Sequence, residues 1–140
     1  MCAANVSEGR DPGVLDALRA AASGQLLDVH VDADHHRCVL TMAGGPDALV
    51  ERVGALADVA LATIDLARHE GVHPRLGALD VVPFAPLAGE DLSACVAARE
   101  AAIEVLAGRG VPVFRFGEGA GERSLPEVRR GAFRVLEPDA

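Results

Sequence analysis

Apolar positions along the chain follow two periods, one helical and one extended. Val14, Leu15, Leu18 and Ala22 recur at helical spacing and stop at Gly24. They follow Asp11-Pro12, an N-cap carboxylate with proline at the first helical position. Gly45-Pro46 opens the longest helical stretch, in which Leu49, Val50, Val53, Leu56, Ala57, Ala60, Leu61 and Ile64 mark a face wide enough to lie across a sheet. A third helix is predicted over Asp91 to Ala107, with Leu92, Val96, Ala102, Ile103 and Leu106 inward and Gly108 and Gly110 beyond its end. A short fourth runs from Ser124 to Arg130 and stops at Gly131. The segments Ala3 to Val6, Leu26 to Val31, Val39 to Ala43, Ala78 to Phe84 and Val111 to Phe116 are short and apolar or alternating, and read as strands. A final extended stretch is predicted around Phe133 to Leu136.

The polar run Asp32-Ala33-Asp34-His35-His36-Arg37 sits between the second and third strands as a hairpin turn. The order is β-α-β-β-α-β and then α-β. The fold class that follows is α+β: a ferredoxin-like (split βαβ), mixed, largely antiparallel sheet with helices on one face. The other face is left bare and calls for a further layer, whether a second subdomain, a partner chain or a twin copy. No repeat, low-complexity tract or charged linker divides the chain, so residues 1–140 are expected to be a single domain.

Composition narrows the chemistry. The net charge of −8 makes nucleic acid a poor partner, because phosphate binding needs a basic surface. All 13 basic residues are Arg, which excludes lysine-dependent Schiff-base and P-loop chemistry. Trp and Tyr are absent, so the core is expected to be built from Leu, Val, Ala and the 4 Phe. No apolar run approaches the ~20 residues of a membrane helix. Met1 to Gly9 has neither the basic start nor the long apolar stretch of a signal peptide, and a cytoplasmic location without membrane association is expected. Cys2, Cys38 and Cys95 form neither a CxxC pair nor a disulfide framework, and read as reduced thiols. His30, His35 and His36 lie in or beside the polar turn with no Cys or Glu to complete a ligand set, so no metal is expected there.

The run Arg68-His69-Glu70-Gly71-Val72-His73-Pro74-Arg75-Leu76-Gly77-Ala78-Leu79-Asp80-Val81-Val82-Pro83-Phe84 is the richest in chemistry. His69 to His73 matches HExxH, the zinc-protease pattern, which works by placing both imidazoles on one helix face. Gly71 weakens a helix there and Pro74 pushes His73 out of the helical region, so the helix is expected to end near His69. A loop between a helix end and a strand fits better. In it His73 can move protons near neutral pH, Arg75 can grip a carboxylate with two N–H groups, and Asp80 can orient either one. The same spacing also suits a plain surface turn with a solvated His and an Arg–Asp ion pair.

The longer pattern His69-x-Gly71-x-His73-Pro74-Arg75-x-Gly77-Ala78-x-Asp80-Val81-x-Pro83-Phe84-x-Pro86 closely resembles the formiminotransferase family, in its N-terminal subdomain. Asn5-Val6-Ser7-Glu8-Gly9-Arg10 is similar to the family's Asn-Phe-Ser-Glu-Gly opening. Leu26-Leu27-Asp28-Val29, Arg37, the helix from Pro46 to Asp65 and Val111-Pro112-Val113-Phe114 follow in the family's order, so the resemblance covers essentially the whole chain.

The resemblance implies a glutamate formiminotransferase of histidine breakdown, moving the formimino group of N-formimino-L-glutamate to tetrahydrofolate as co-substrate. By motif position the catalytic histidine is His73. Asn5, Arg37, Arg75 and Asp80 are the candidate substrate-binding residues, the two arginines for substrate carboxylates. Three departures accompany the likeness. The family's second, folate-loop subdomain is absent from these 140 residues, which suggests either half of a split enzyme with a separate C-terminal subdomain chain or a homodimer through the open sheet face. His30 and His36 stand near where the family has Asp and Asn, and Val6 stands for Phe. The alternative is a non-catalytic stand-alone relative, a folate or small-molecule binding module or a dimerising interaction module.

Overall fold

A computed structural model describes every residue except Ala88, Glu90 and Glu122. Four strands, β1 (Cys2–Val6), β2 (Leu26–Asp32), β3 (Arg37–Met42) and β4 (Leu79–Val81), form one sheet in the order β2-β3-β1-β4. Each neighbouring pair is antiparallel. β1 and β2 flank β3, and β3 and β4 flank β1, so the chain forms the two interleaved βαβ units read from the sequence. Helix α1 (Pro12–Ala21) makes the first crossover and α2 (Pro46–Thr63) the second. After β4 come α3 (Leu92–Ala107) and α4 (Leu125–Gly131).

Local chemistry explains the helix starts. Asp11 accepts hydrogen bonds from the Gly13 and Val14 N–H groups, and Pro12 occupies the first turn, where its missing N–H costs nothing. Pro46 starts α2 in the same way, and the Asp91 carboxylate caps α3 through the Ser93 N–H. Glu127 reaches back to the Ser124 N–H to close the first turn of α4.

Register fixes which side chains are sealed. Cys2, Ala4 and Val6 of β1 and Cys38, Leu40 and Met42 of β3 point into the helix layer, against Leu15 and Leu18 of α1 and Leu49, Val53, Leu56, Ala57 and Ala60 of α2. Removing each such leucine from water contributes roughly 1.5–3 kcal/mol. Of the phenylalanines expected in this core, Phe84 packs against its edge, half-buried, and none is sealed within it. Phe114 and Phe133 pack edge to face at 4.9 Å, and Phe133 is exposed, so the sealed core is Leu, Val, Ala, Met and Cys. Leu61 and Leu92, expected to face inward, are also exposed.

Two expected strands are absent among the described residues. Val111 to Phe116 joins no sheet; Pro112 lacks a donor, and Val113 exchanges hydrogen bonds with Asp139 and Ala140 instead. Phe133 to Leu136 is a tight turn in which the Gly131 carbonyl accepts from the Arg134, Val135 and Leu136 N–H groups, with Phe133 at φ +59°. The sheet is therefore wholly antiparallel rather than mixed. Between α2, α3, β4 and the 111–116 segment lies a largely apolar cavity of about 460 Å3, bounded by Ala60, Ile103, Leu106, Val113 and Val128. The opposite sheet face carries Ala3, Asn5, Arg37, Val39, Thr41, Asp28 and His30, all half-buried or exposed. No helix of the described residues is long and apolar enough to cross a membrane.

Burial pushes the Cys2 and Cys38 thiols up to about 12, while Cys95 is only half-buried. Iodoacetamide at pH 8 is expected to label Cys95 in the native protein and to spare Cys2 and Cys38 until denaturant is added, as read by peptide mass spectrometry. Labelling of Cys38 at the rate of Cys95 would contradict this core.

Candidate active site

The loop that carries His73 begins where α2 runs out. α2 ends at Thr63, a single 3₁₀ turn spans Leu66–Arg68, and His69 caps that turn in an extended conformation. His69 and His73 therefore share no helix. Among the described residues no group of three or more His, Cys, Asp or Glu side chains could hold a metal ion, so the HExxH match has no metal geometry behind it.

The loop rests on the β2–β3 turn. Gly71 makes the contact possible, because a Cβ there would lie 2.7 Å from the His35 carbonyl oxygen and 2.9 Å from His36 Cβ. The Val72 N–H donates to the Asp34 carbonyl. His36, held at φ +51°, places Nδ1 2.8 Å from the Glu70 carbonyl and Nε2 3.1 Å from Glu8 Oε1, and its ring stacks on His69 at 3.8 Å. Arg75 donates to His69 Nδ1 and to the Gly71 and His73 carbonyls, so its guanidinium braces the loop from within.

The stem of the loop is tied down twice. Asp80 accepts from the Leu76 and Gly77 N–H groups and pairs with Arg129 of α4 at 2.7 Å, and Arg129 also donates to the Pro74 carbonyl. On the other side Ser7, buried at the end of β1, donates from Oγ to the Gly77 carbonyl and from its N–H to the Ala78 carbonyl. The next residue, Glu8, takes the Gly9, Arg10 and Asp11 N–H groups on Oε1. Burial raises its carboxyl pKa, but these N–H groups and the charge of His36 outweigh burial and hold it below the ordinary value.

His73 is half-buried at the end of the sheet, beside the turn. Arg37 Nη1 donates to its Nε2 at 3.0 Å. A guanidinium can only donate, so Nε2 carries the ring's lone pair and Nδ1 carries its proton. Burial lowers the His73 pKa, and the Arg37 and Arg129 charges lower it further against the hydrogen bond with the Pro74 backbone and the charge of Asp80. The result is a neutral imidazole at pH 7. His35 lies edge-on to it, with ring centroids 5.8 Å apart, and its Nδ1 is 2.6 Å from Asp32 Oδ2.

Of the residues singled out from sequence, His73 and Arg37 are thus in direct contact. Arg75 and Asp80 hold the loop, Asp80 through Arg129 rather than through Arg75. Asn5 stands on the open face of β1 opposite Val39 and donates to the Ala3 carbonyl. Among the described residues no carboxylate pairs with Arg37. Sequence reasoning met His69 only as part of a motif, and gave no role to Glu8, Arg129 or the Asp32–His35 pair. The last had a visible signal, since Asp-x-x-His in a tight turn lets one carboxylate cap the His35 N–H and hold its ring at once.

The family model for the formiminotransferase domain, N-terminal subdomain, matches residues 1–140. The chain is 41% identical to a formimidoyltransferase-cyclodeaminase of Sus scrofa over 96% of its length and 26% of that protein. It is 34% identical to a glutamate formimidoyltransferase of Streptococcus pyogenes serotype M1, over 99% of its length and 50% of that protein. A glutamate formimidoyltransferase of Thermoplasma acidophilum is 36% identical over 85% of the chain and 41% of that protein. The chain thus spans between about a quarter and a half of the length of these relatives.

Proposed function

We propose, for a chain that belongs to the formiminotransferase family through its N-terminal subdomain, that it supplies the proton-transfer half of a formiminotransferase. In this reading it joins a separate chain that carries the second, folate-binding subdomain, and the formimino group passes from N-formimino-L-glutamate to N5 of tetrahydrofolate. The observation that supports it best is the neutral His73, its lone pair on Nε2, beside an arginine with no carboxylate partner among the described residues, at the edge of an open sheet face. Attack of N5 on the formimino carbon releases the N5 proton, and a neutral imidazole is the group to take it. Arg37 suits a substrate carboxylate; drawing the guanidinium onto it frees Nε2 for the proton. Arg75, Asp80 and Asn5 act around this pair, the first two by fixing the loop and Asn5 by presenting an amide on the open face.

The test is direct. The chain is mixed with the C-terminal subdomain of a relative, N-formimino-L-glutamate and tetrahydrofolate, and 5-formimino-tetrahydrofolate is measured. Formation that needs both halves is expected; none at any ratio of the two overturns the reading.

The pH profile gives a second expectation. Because the His73 pKa is lowered, the imidazole stays neutral as the pH falls through the ordinary value of 6.5, and the rate is lost only below it. Replacing Arg37 by Met removes one of the charges that depress it, so the acid limb of kcat/KM moves up toward 6.5. A limb that does not move would separate Arg37 from the proton chemistry.

One observation favours a second reading. With Arg37 on its lone pair, His73 is occupied, as it would be in a relative that binds a folate or another anion without turning it over. Saturable tetrahydrofolate binding with no product in the mixed assay would select it.

A further inference from the structure

We propose that Asp32 and His35 form a second proton-carrying pair that shares the site with His73, so that the two imidazoles move the two protons of the exchange between them. The inference rests on the transfer reading, and its ground is the geometry of the β2–β3 turn. Asp32 Oδ1 accepts the His35 N–H at 2.8 Å, and Oδ2 lies 2.6 Å from Nδ1. The carboxylate therefore fixes a proton on Nδ1 and leaves Nε2 as the working nitrogen, the arrangement by which a carboxylate orients an imidazole and stabilises its protonated form. The His35 side chain is 41% exposed, open to substrate and solvent, and its ring centroid is 5.8 Å from that of His73. The other charged or titratable groups of its surroundings are Asp34 and His36 on the same turn, Arg37 on β3, Arg10 on the Ala33 carbonyl, and His73 from the loop.

The chemistry needs two carriers in opposite states. His73 begins as the acceptor, with its lone pair on Nε2, and His35, oriented by the Asp32 carboxylate, begins as the donor. As the N5–carbon bond forms, His73 takes the N5 proton; the C=N pair moves onto the imino nitrogen, which takes a proton from His35. The adduct then collapses. The amino nitrogen gives its proton back to His35 as the C=N bond re-forms, and the bond to the glutamate nitrogen breaks with its electron pair on that nitrogen, which takes the proton from His73. Both rings end as they began, and no other reactant is consumed.

His35→Gln and Asp32→Asn test this in the mixed assay, with the imidazole ring signals of the chain followed by NMR across pH. His35→Gln is expected to lower kcat about 100-fold and to leave KM for tetrahydrofolate within about 2-fold. Asp32→Asn is expected to lower kcat by less and to displace the His35 ring signals, because the carboxylate that holds Nδ1 is gone. Removing His35 is also expected to displace the His73 ring signals, because the imidazole edge 5.8 Å away is gone. Full rate in His35→Gln alongside loss in His73→Ala overturns the second carrier and leaves the transfer reading standing. If the unaltered chain transfers nothing, that reading falls, and His73 ring signals indifferent to His35→Gln overturn the pairing as well.

Discussion

His73→Ala is expected to lower formimino transfer about 10³-fold in kcat, within the 10²–10⁴-fold range of a lost acid–base group. KM for tetrahydrofolate should change little. The ring is half-buried, and it meets Arg37 Nη1, the Pro74 backbone and the edge of His35, none of which belongs to the apolar core. The far-ultraviolet circular dichroism and the denaturation midpoint should accordingly stay close to those of the unaltered chain. Added imidazole should restore part of the rate, since the removed side chain leaves space beside Arg37. A variant within 10-fold of the original rate would remove His73 from the chemistry, whatever the state of the other residues.

Gly9→Ala should have the largest effect on stability. A Cβ at this position would lie 2.4 Å from the Asp32 carbonyl oxygen, 2.7 Å from the Arg37 N and 2.9 Å from the Arg37 carbonyl oxygen. All three are backbone atoms at the facing ends of β2 and β3, so no side chain can swing aside. The strands must separate or the 7–11 segment must lift away from them. The expected cost is about 3 kcal/mol, or roughly 10 °C in Tm. Gly45→Ala, with open space around its Cβ, is the control and should cost less than about 1 kcal/mol. Urea and thermal denaturation of both variants give the comparison, and equal midpoints would refute the close packing at Gly9.

The difference between what the chain announces and what it hides has a physical pattern. Caps and periodicity are local, so α1 and α2 could be placed from Asp11-Pro12 and Gly45-Pro46 alone, and the inward alternation of β1 and β3 followed from their neighbours in sequence. The segment Val111 to Phe116 has the same alternation. Its fate was decided by Asp139 and Ala140, more than 20 residues away, for which no local rule provides. The site divides along the same line. His73 and Arg75 stand in one loop and were visible as a motif, whereas the Arg37 contact spans 36 residues and the Asp80 contact with Arg129 spans 49. His35 and His36 look alike in sequence. Only the fold sends one toward His73 and the other toward Glu8 and His69.

The hollow between α2, α3 and β4 makes the two flanks of the molecule mechanically unequal. At the turn end, backbone meets backbone at Gly9 and Gly71 with nothing left to compress. On the helix flank, α3 borders empty volume and has room to shift by small amounts, while α4 is held to β4 and the His73 loop by Arg129. The imidazoles are therefore mounted on the close-packed side of the protein, and the Arg129 bonds to Asp80 and Pro74 are what would carry a movement of α4 to the loop that aims His73.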